Sequence, residues 1–246
     1  LGAMAAGQPL RRMFDYLGVT SQIPMERMGS TGVIDRYIFD DFTFDLPEGI
    51  SAFAENLRKA FPDERPQIDV IVKNLTQISV RMDEFDILYA QSHDFASLME
   101  YMDSLGDLMT DLHCSAGLRS VLGMTSSWIG IPLDVCPIYY HHMALASYLS
   151  SSWRLAGSGA EMADAFADRV GSLGGGALIA GDPVERILID QGTVAGAVLK
   201  SGRMLRAKRI IGAIHPKALL GLLPEGAVKP AYRKRISRLE DTQGVF

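Results

Sequence analysis

Two cysteines, Cys114 and Cys136, are all that the 246 residues contain, and neither stands in a CxxC or beside an HxxxH. That pattern excludes a disulfide framework and a zinc site, and it predicts reduced core residues in a cytoplasmic protein. Concentrated positive charge is scarce too. The net charge is −5, and the densest basic stretch, residues 229–238, spaces five Lys and Arg among apolar positions. A nucleic-acid partner is therefore not expected, and the basic stretch reads as a solvated helix face. Long apolar runs are missing as well. The mildest candidate, residues 129–149, is interrupted by Pro132, Asp134, Pro137, His141 and His142, whereas a spanning helix needs about 20 apolar residues. Crossing a membrane is excluded on this reading, and peripheral contact is left open. No signal peptide, internal repeat or low-complexity segment is seen.

What is present, at 48 % hydrophobic composition, can bury a sizeable core. Residues 9–17 read as a helix with Leu10, Met13, Phe14 and Leu17 on one face and Gly18 as its stop. Residues 33–44 alternate as a hairpin, with Tyr37, Phe39, Phe42 and Phe44 making its inner side aromatic. From residue 49 the period turns helical. Phe53, Leu57 and Ala60 mark one helix ended by Phe61-Pro62, and Ile68, Ile71, Val72, Leu75, Ile78, Met82 and Phe85 mark a longer one. Further helices are expected at 95–112, 116–124 and 138–149.

At Ser158 the character changes. Ser158-Gly159-Ala160-Glu161 predicts a capping box, opening a helix that buries Met162, Ala163, Phe166, Ala167, Val170 and Leu173 before a glycine stop. Short strands follow at 177–180, 184–189, 194–200, 204–207 and 209–213, with turns at Asp190-Gln191-Gly192 and Ser201-Gly202, and then helices at 216–223 and 231–239. The fold class is α/β, with a mainly helical block set before α/β material.

The ordered series Trp153, Gly157-Ser158-Gly159, Gly174-Gly175, Asp182-Pro183-Val184, Gly192-Thr193-Val194-Ala195-Gly196, Ser201-Gly202 and Ala207-Lys208-Arg209-Ile210-Ile211 resembles the phytoene desaturase, carotenoid isomerase and retinol saturase family of FAD-dependent oxidoreductases. Gly212-Ala213-Ile214-His215-Pro216 departs modestly from that pattern. Upstream, the run from Pro132 to Met143 is similar to the family's middle segment, and Leu1-Gly2-Ala3-Met4 and Leu10 to Gly18 resemble the stretch after its first flavin-binding unit.

The resemblance implies a two-domain flavoprotein. Residues 1–48 would link the FAD domain to the substrate domain, 49–152 would form an inserted helical substrate domain, 153–228 part of the FAD-binding domain, and 229–246 the start of the return. The family's GxGxxG is absent; the run at 171–176 follows a helix and precedes a strand, the wrong context for a phosphate cradle. Both termini read as cut, Leu1-Gly2-Ala3-Met4 being no natural start. The chain is therefore expected to hold FAD weakly or not at all, while the intact parent would bind it.

The resemblance implies that the Val184 backbone reaches the adenine side of FAD and that Gly157, Ser158 and Gly159 lie where the chain enters the dinucleotide domain. The helix cap alone also accounts for the serine. Tyr139, Tyr140 and Met143 are candidates for a substrate pocket. His141 and His142 are candidates for proton transfer beside a polyene, although a histidine among apolar neighbours is more often hydrogen-bonded in the core. Met82, Met99, Met102, Met109 and Met124 fit either an adaptable greasy pocket or ordinary packing. The expected substrate is a lipophilic isoprenoid or polyene, and the reaction desaturation, saturation or isomerisation. An amine-oxidase-like flavoenzyme and a non-catalytic lipid- or partner-binding module are the alternatives.

Overall fold

The computed structural model describes residues 1–82, 96–174 and 176–242, with the side chains of 96–98 left undescribed. It is a mixture of helices and small antiparallel sheets, and it divides into two compact units, residues 1–173 and residues 174–241. Every strand pair among the described residues is antiparallel.

In the first unit, helix α1 (Pro9–Leu17) begins on proline, whose fixed φ suits the first turn, and stops at Gly18, whose φ of 73° places it in the left-handed region. Strand β1 (Met25–Arg27) pairs far along the chain with β4 (Trp153–Leu155). Strands β2 (Asp35–Ile38) and β3 (Thr43–Leu46) form the expected hairpin. Tyr37 and Phe44 are buried on its inner side and Phe39 stacks on Phe42 at 4.6 Å, while Ile38 on the other side is 79 % exposed.

Helices α2 (Ile50–Ala60), α3 (Arg65–Ser79), α4 (Leu105–Asp111), α5 (Ala116–Trp128) and α6 (Ile138–Ser150) build the main core. Phe53, Leu57, Ile68, Ile71, Leu75 and Ile78 repeat at helical spacing and are at most 1 % exposed. Full burial of each such side chain stabilises by roughly 1.5–3 kcal/mol. Helix α3 stops at Ser79, short of Met82, and Phe85 lies outside the described residues. The single helix expected over 95–112 is instead a 3₁₀ turn (Ala96–Tyr101) followed by α4. The break has a cause at Ser104. Its side chain accepts from Asp107 N–H at 2.9 Å to cap α4, and the flanking backbone bonds across to residues 136–138.

Helix α7 (Gly159–Ser172) closes this unit. Phe166 meets Phe14 edge-on at 5.9 Å, and Met162 packs with Met4, Val19 and Ile23 in a second, smaller cluster. The rest of its expected apolar stripe does not bury: Val170 is 41 % and Leu173 66 % exposed. Ser158 occupies the N-cap position with extended backbone, but its side chain makes no cap bond.

The second unit is a meander of β5 (Val184–Asp190), β6 (Thr193–Leu199) and β7 (Met204–Arg206), joined to α8 (Pro216–Leu222) and α9 (Pro230–Ser237). The two-residue turn Gln191-Gly192 has φ of 47° and 78°, the sense that a tight hairpin requires. Ile187, Ala197, Val198, Leu199 and Leu220 are its buried apolar residues. The segments 177–180 and 209–213, expected as strands, have no ladder partner and form none. Their apolar side chains stay exposed, Leu178 at 64 % and Ile211 at 94 %. A β-strand exists only through its neighbour's hydrogen bonds, so composition alone cannot make one.

Candidate functional site

Helix α6 carries the helical-block candidates, and it separates them. Tyr139, His141 and His142 face the core, whereas Tyr140 is 56 % exposed and touches Tyr139 only ring to ring, at 5.7 Å. Met143 is half-buried against the main core. Of the five methionines, Met109 is fully buried, Met82, Met102 and Met124 pack against the core, and Met99 is exposed.

His141 and His142 are both fully buried and meet through their Nδ1 atoms at 2.9 Å. His141 Nε2 lies 2.8 Å from the Leu122 carbonyl oxygen and must donate to it. Its Nδ1 is then a bare lone pair to which His142 Nδ1–H donates, and His142 Nε2 is buried without a well-formed hydrogen bond, although the nearby Ile71 backbone favours the protonated form of His142. Adjacent residues on a helix point about 100° apart. These two meet because Nδ1 sits next to Cβ, and tilting the rings by 59° closes the gap. Burial lowers both basicities, His141 to about 4, and the neighbouring His141 lowers His142 further.

Burial also pushes the Cys114 thiol up to about 11 and raises that of Cys136. Neither is a nucleophile near neutral pH. Among the described residues no group of His, Cys, Asp and Glu could hold a metal ion.

The residues tied by resemblance to FAD fall in different units. Gly157, Ser158 and Gly159 are exposed at the start of α7. A side chain on Gly157 would collide with the Glu161 carboxylate, which folds back over it. An acid in the first turn occupies the positive end of the helix, so this terminus is not a phosphate cradle as it stands.

Val184 opens β5 at the edge of the meander. Lys200 N–H donates to the Pro183 carbonyl (2.9 Å) and Leu199 N–H to that of Arg203 (2.9 Å). Val184 and Leu199 are therefore a non-hydrogen-bonded pair, and the Val184 N–H and C=O point to the side of the sheet that β6 does not occupy. This is the orientation a backbone contact to a planar heterocycle needs. The Val184 main chain is thus open to an outward partner, whereas the start of α7 is already occupied by its own carboxylate.

Two clefts in the first unit escaped sequence reasoning. One of about 530 Å³ lies beside α1 and the β1–β4 ribbon, lined by Met4, Arg11, Asp15, Ile23, Met25 and Trp153. Under it, the buried Ser151 hydroxyl accepts from Met4 N–H, Ala5 N–H and Trp153 Nε1–H, each at 3.1 Å. Those partners lie up to 147 residues away in sequence, and no local pattern announces them. The other cleft, of about 410 Å³, is bounded by Lys73, Tyr101, Glu100, Asp103, Asp107 and Asp111. No helix among the described residues is long and apolar enough to cross a membrane. No model of a known protein family matches the chain, and no curated protein matches it.

Proposed function

We propose that the chain is part of an FAD-dependent oxidoreductase acting on a lipophilic isoprenoid or polyene substrate by desaturation, saturation or isomerisation. The observation that carries this reading is the order of features from Trp153 to Pro216. A ribbon strand leads into α7, then an antiparallel meander with Val184 at its open edge, then an apolar segment entering α8. The apolar segments 177–180 and 209–213 support it as well, because they have strand composition without partners. In a dinucleotide-binding sheet such segments would be paired on both sides.

The flavin, when bound, would supply the redox chemistry. The part of this chain would be to present the Val184 main chain to the adenine and to build the apolar block. His141 and His142, sealed in that block, would hold its packing. The pyrophosphate grip would come from residues other than those described.

A second reading is favoured by one observation. The cleft bearing Glu100, Asp103, Asp107 and Asp111 is negatively lined, which suits a cationic amine better than a polyene. The two are separated by difference absorbance spectra of the flavin-loaded larger protein of which the proposal makes this chain part. An apolar polyene is expected to perturb the flavin bands and a primary amine to leave them unchanged. A response to the amine alone would give the site to amine oxidation.

A further inference from the structure

The cleft beside α1 and the β1–β4 ribbon has a fixed apolar floor and a cation with unused donors. Met4 and Ile23 are buried in that floor, and Met25 and Trp153 are half-buried. The Ser151 hydroxyl holds it in place, accepting from the Met4 and Ala5 N–H groups and the Trp153 indole while donating to Gln8 Oε1. A ligand would therefore find the floor already ordered. The volume of about 530 Å³ lies in the range of small-molecule sites.

Helix α1 builds the rim. Arg11 and Asp15 stand one turn apart, and Arg11 Nε donates to Asp15 Oδ1 at 2.9 Å. Thr20 Oγ1–H donates to the same oxygen at 2.6 Å. These two bonds occupy the carboxylate and hold the guanidinium by its Nε edge. Its two Nη groups have no acceptor among the described residues. A second guanidinium, that of Arg169, lies over Gly18 at the same rim, with its Nε bonded to the Leu17 carbonyl at 2.9 Å. The rim thus carries two guanidinium groups against one carboxylate that is already bonded. A cationic ligand would meet repulsion there. A carboxylate would meet the open Nη pair, whose fork it matches.

We propose that this cleft binds an aliphatic monocarboxylate, its carboxylate on the Arg11 Nη groups and its chain over Met4, Ile23, Met25 and Trp153. Asp15 and Thr20 act through Arg11, as positioning residues. The assignment is independent of the redox reading, since it needs no flavin.

Trp153 is one of two tryptophans, and the other, Trp128, packs on Tyr148 in the main core. The test is titration of the whole chain with decanoate, read by tryptophan emission, with decanol and decylammonium as the uncharged and cationic counterparts. A saturable change is expected, with decanoate at least about tenfold tighter than either counterpart. Hexanoate should bind more weakly, since each methylene it lacks is worth up to about fourfold. Arg11→Gln should weaken decanoate by about tenfold to a hundredfold at unchanged circular dichroism, and should leave decanol where it was. Lys59→Gln, which removes an exposed cation from α2, should change nothing. Absence of a saturable response below the micellar range would overturn the site. A response that survives in Trp153→Phe would do the same, since the chain would then lie elsewhere. Equal affinity for decanol, or tighter binding of decylammonium, would overturn the carboxylate assignment. Equal loss from Arg11→Gln and Lys59→Gln would show a response to net charge and overturn Arg11 as the anchor.

Discussion

Replacing Gly196 by alanine should unfold the second unit while the first keeps its structure. Gly196 sits in β6, the central strand of the meander, at φ 154°. A β-carbon there would overlap the Leu205 carbonyl oxygen of β7 and come within 3.1 Å of Arg206 Cα. Both atoms are backbone, so no side chain can swing aside, and β6 and β7 would have to separate. Their pairing holds Ala197 opposite Leu205 and Val198 opposite Met204. The small core of that unit has few other residues to hold it. The expected cost is about 4 kcal/mol, which belongs to the strained-backbone class of large effects. Gly202 gives the contrast. Its φ is 86°, yet nothing lies within 4 Å of its β-carbon position, so Gly202→Ala should cost only about 1–2 kcal/mol. Amide hydrogen exchange separates the cases. With Gly196→Ala, protection over 184–206 should vanish while that of α3 and α6 persists; full protection in β6 would refute the close approach.

Acid should destabilise the first unit in a window set by His141 and His142. Both are neutral and buried in the folded chain, and the His141 basicity drops from the ordinary 6.5 to about 4. The unfolded chain therefore binds protons that the folded chain refuses. Stability is complete above about 6.5 and is lost as pH falls toward about 4. For His141 alone the loss is on the order of 3 kcal/mol, and His142 shifts in the same direction. The carboxyls held low, Asp15 by Thr20 and Arg11 and Asp45 by Arg36, act only below the usual carboxylate range. Urea midpoints at several pH values between about 7.5 and 4.5 read the effect. His142→Leu removes one buried imidazole but leaves the His141 Nδ1 without its donor, so it should cost about 1–3 kcal/mol at pH near 7.5 and should flatten the acid slope. A wild-type midpoint that does not move between about 7 and 5 would contradict the buried neutral pair.

Much of the local structure was written in the sequence where the chain itself supplies the cause. Pro9 and Gly18 bound α1, the alternation of Tyr37 and Phe44 sets the inner side of the hairpin, and Gln191-Gly192 turns β5 into β6. Readings failed where a distant partner decides. Segments 177–180 and 209–213 have strand composition and no ladder. The expected helix over 95–112 is broken because residues 103–105 bond to 136–138. Of the candidate residues, α6 was legible as a helix, but not that it would bury Tyr139 and expose Tyr140, nor that His141 and His142 would hydrogen-bond to each other, since helical spacing argues against it. Val184 could be matched by resemblance, whereas the outward direction of its backbone groups needed the register with Leu199.

The most direct test of the flavoenzyme reading is the absorbance spectrum of the purified chain beside that of the larger protein of which the proposal makes it part, each with FAD added and then removed by gel filtration. The account predicts a yellow larger protein with oxidised-flavin bands and a colourless chain of residues 1–246, since the proposal gives this chain an adenine contact at Val184 and no pyrophosphate cradle. A larger protein that emerges colourless after exposure to FAD would contradict it.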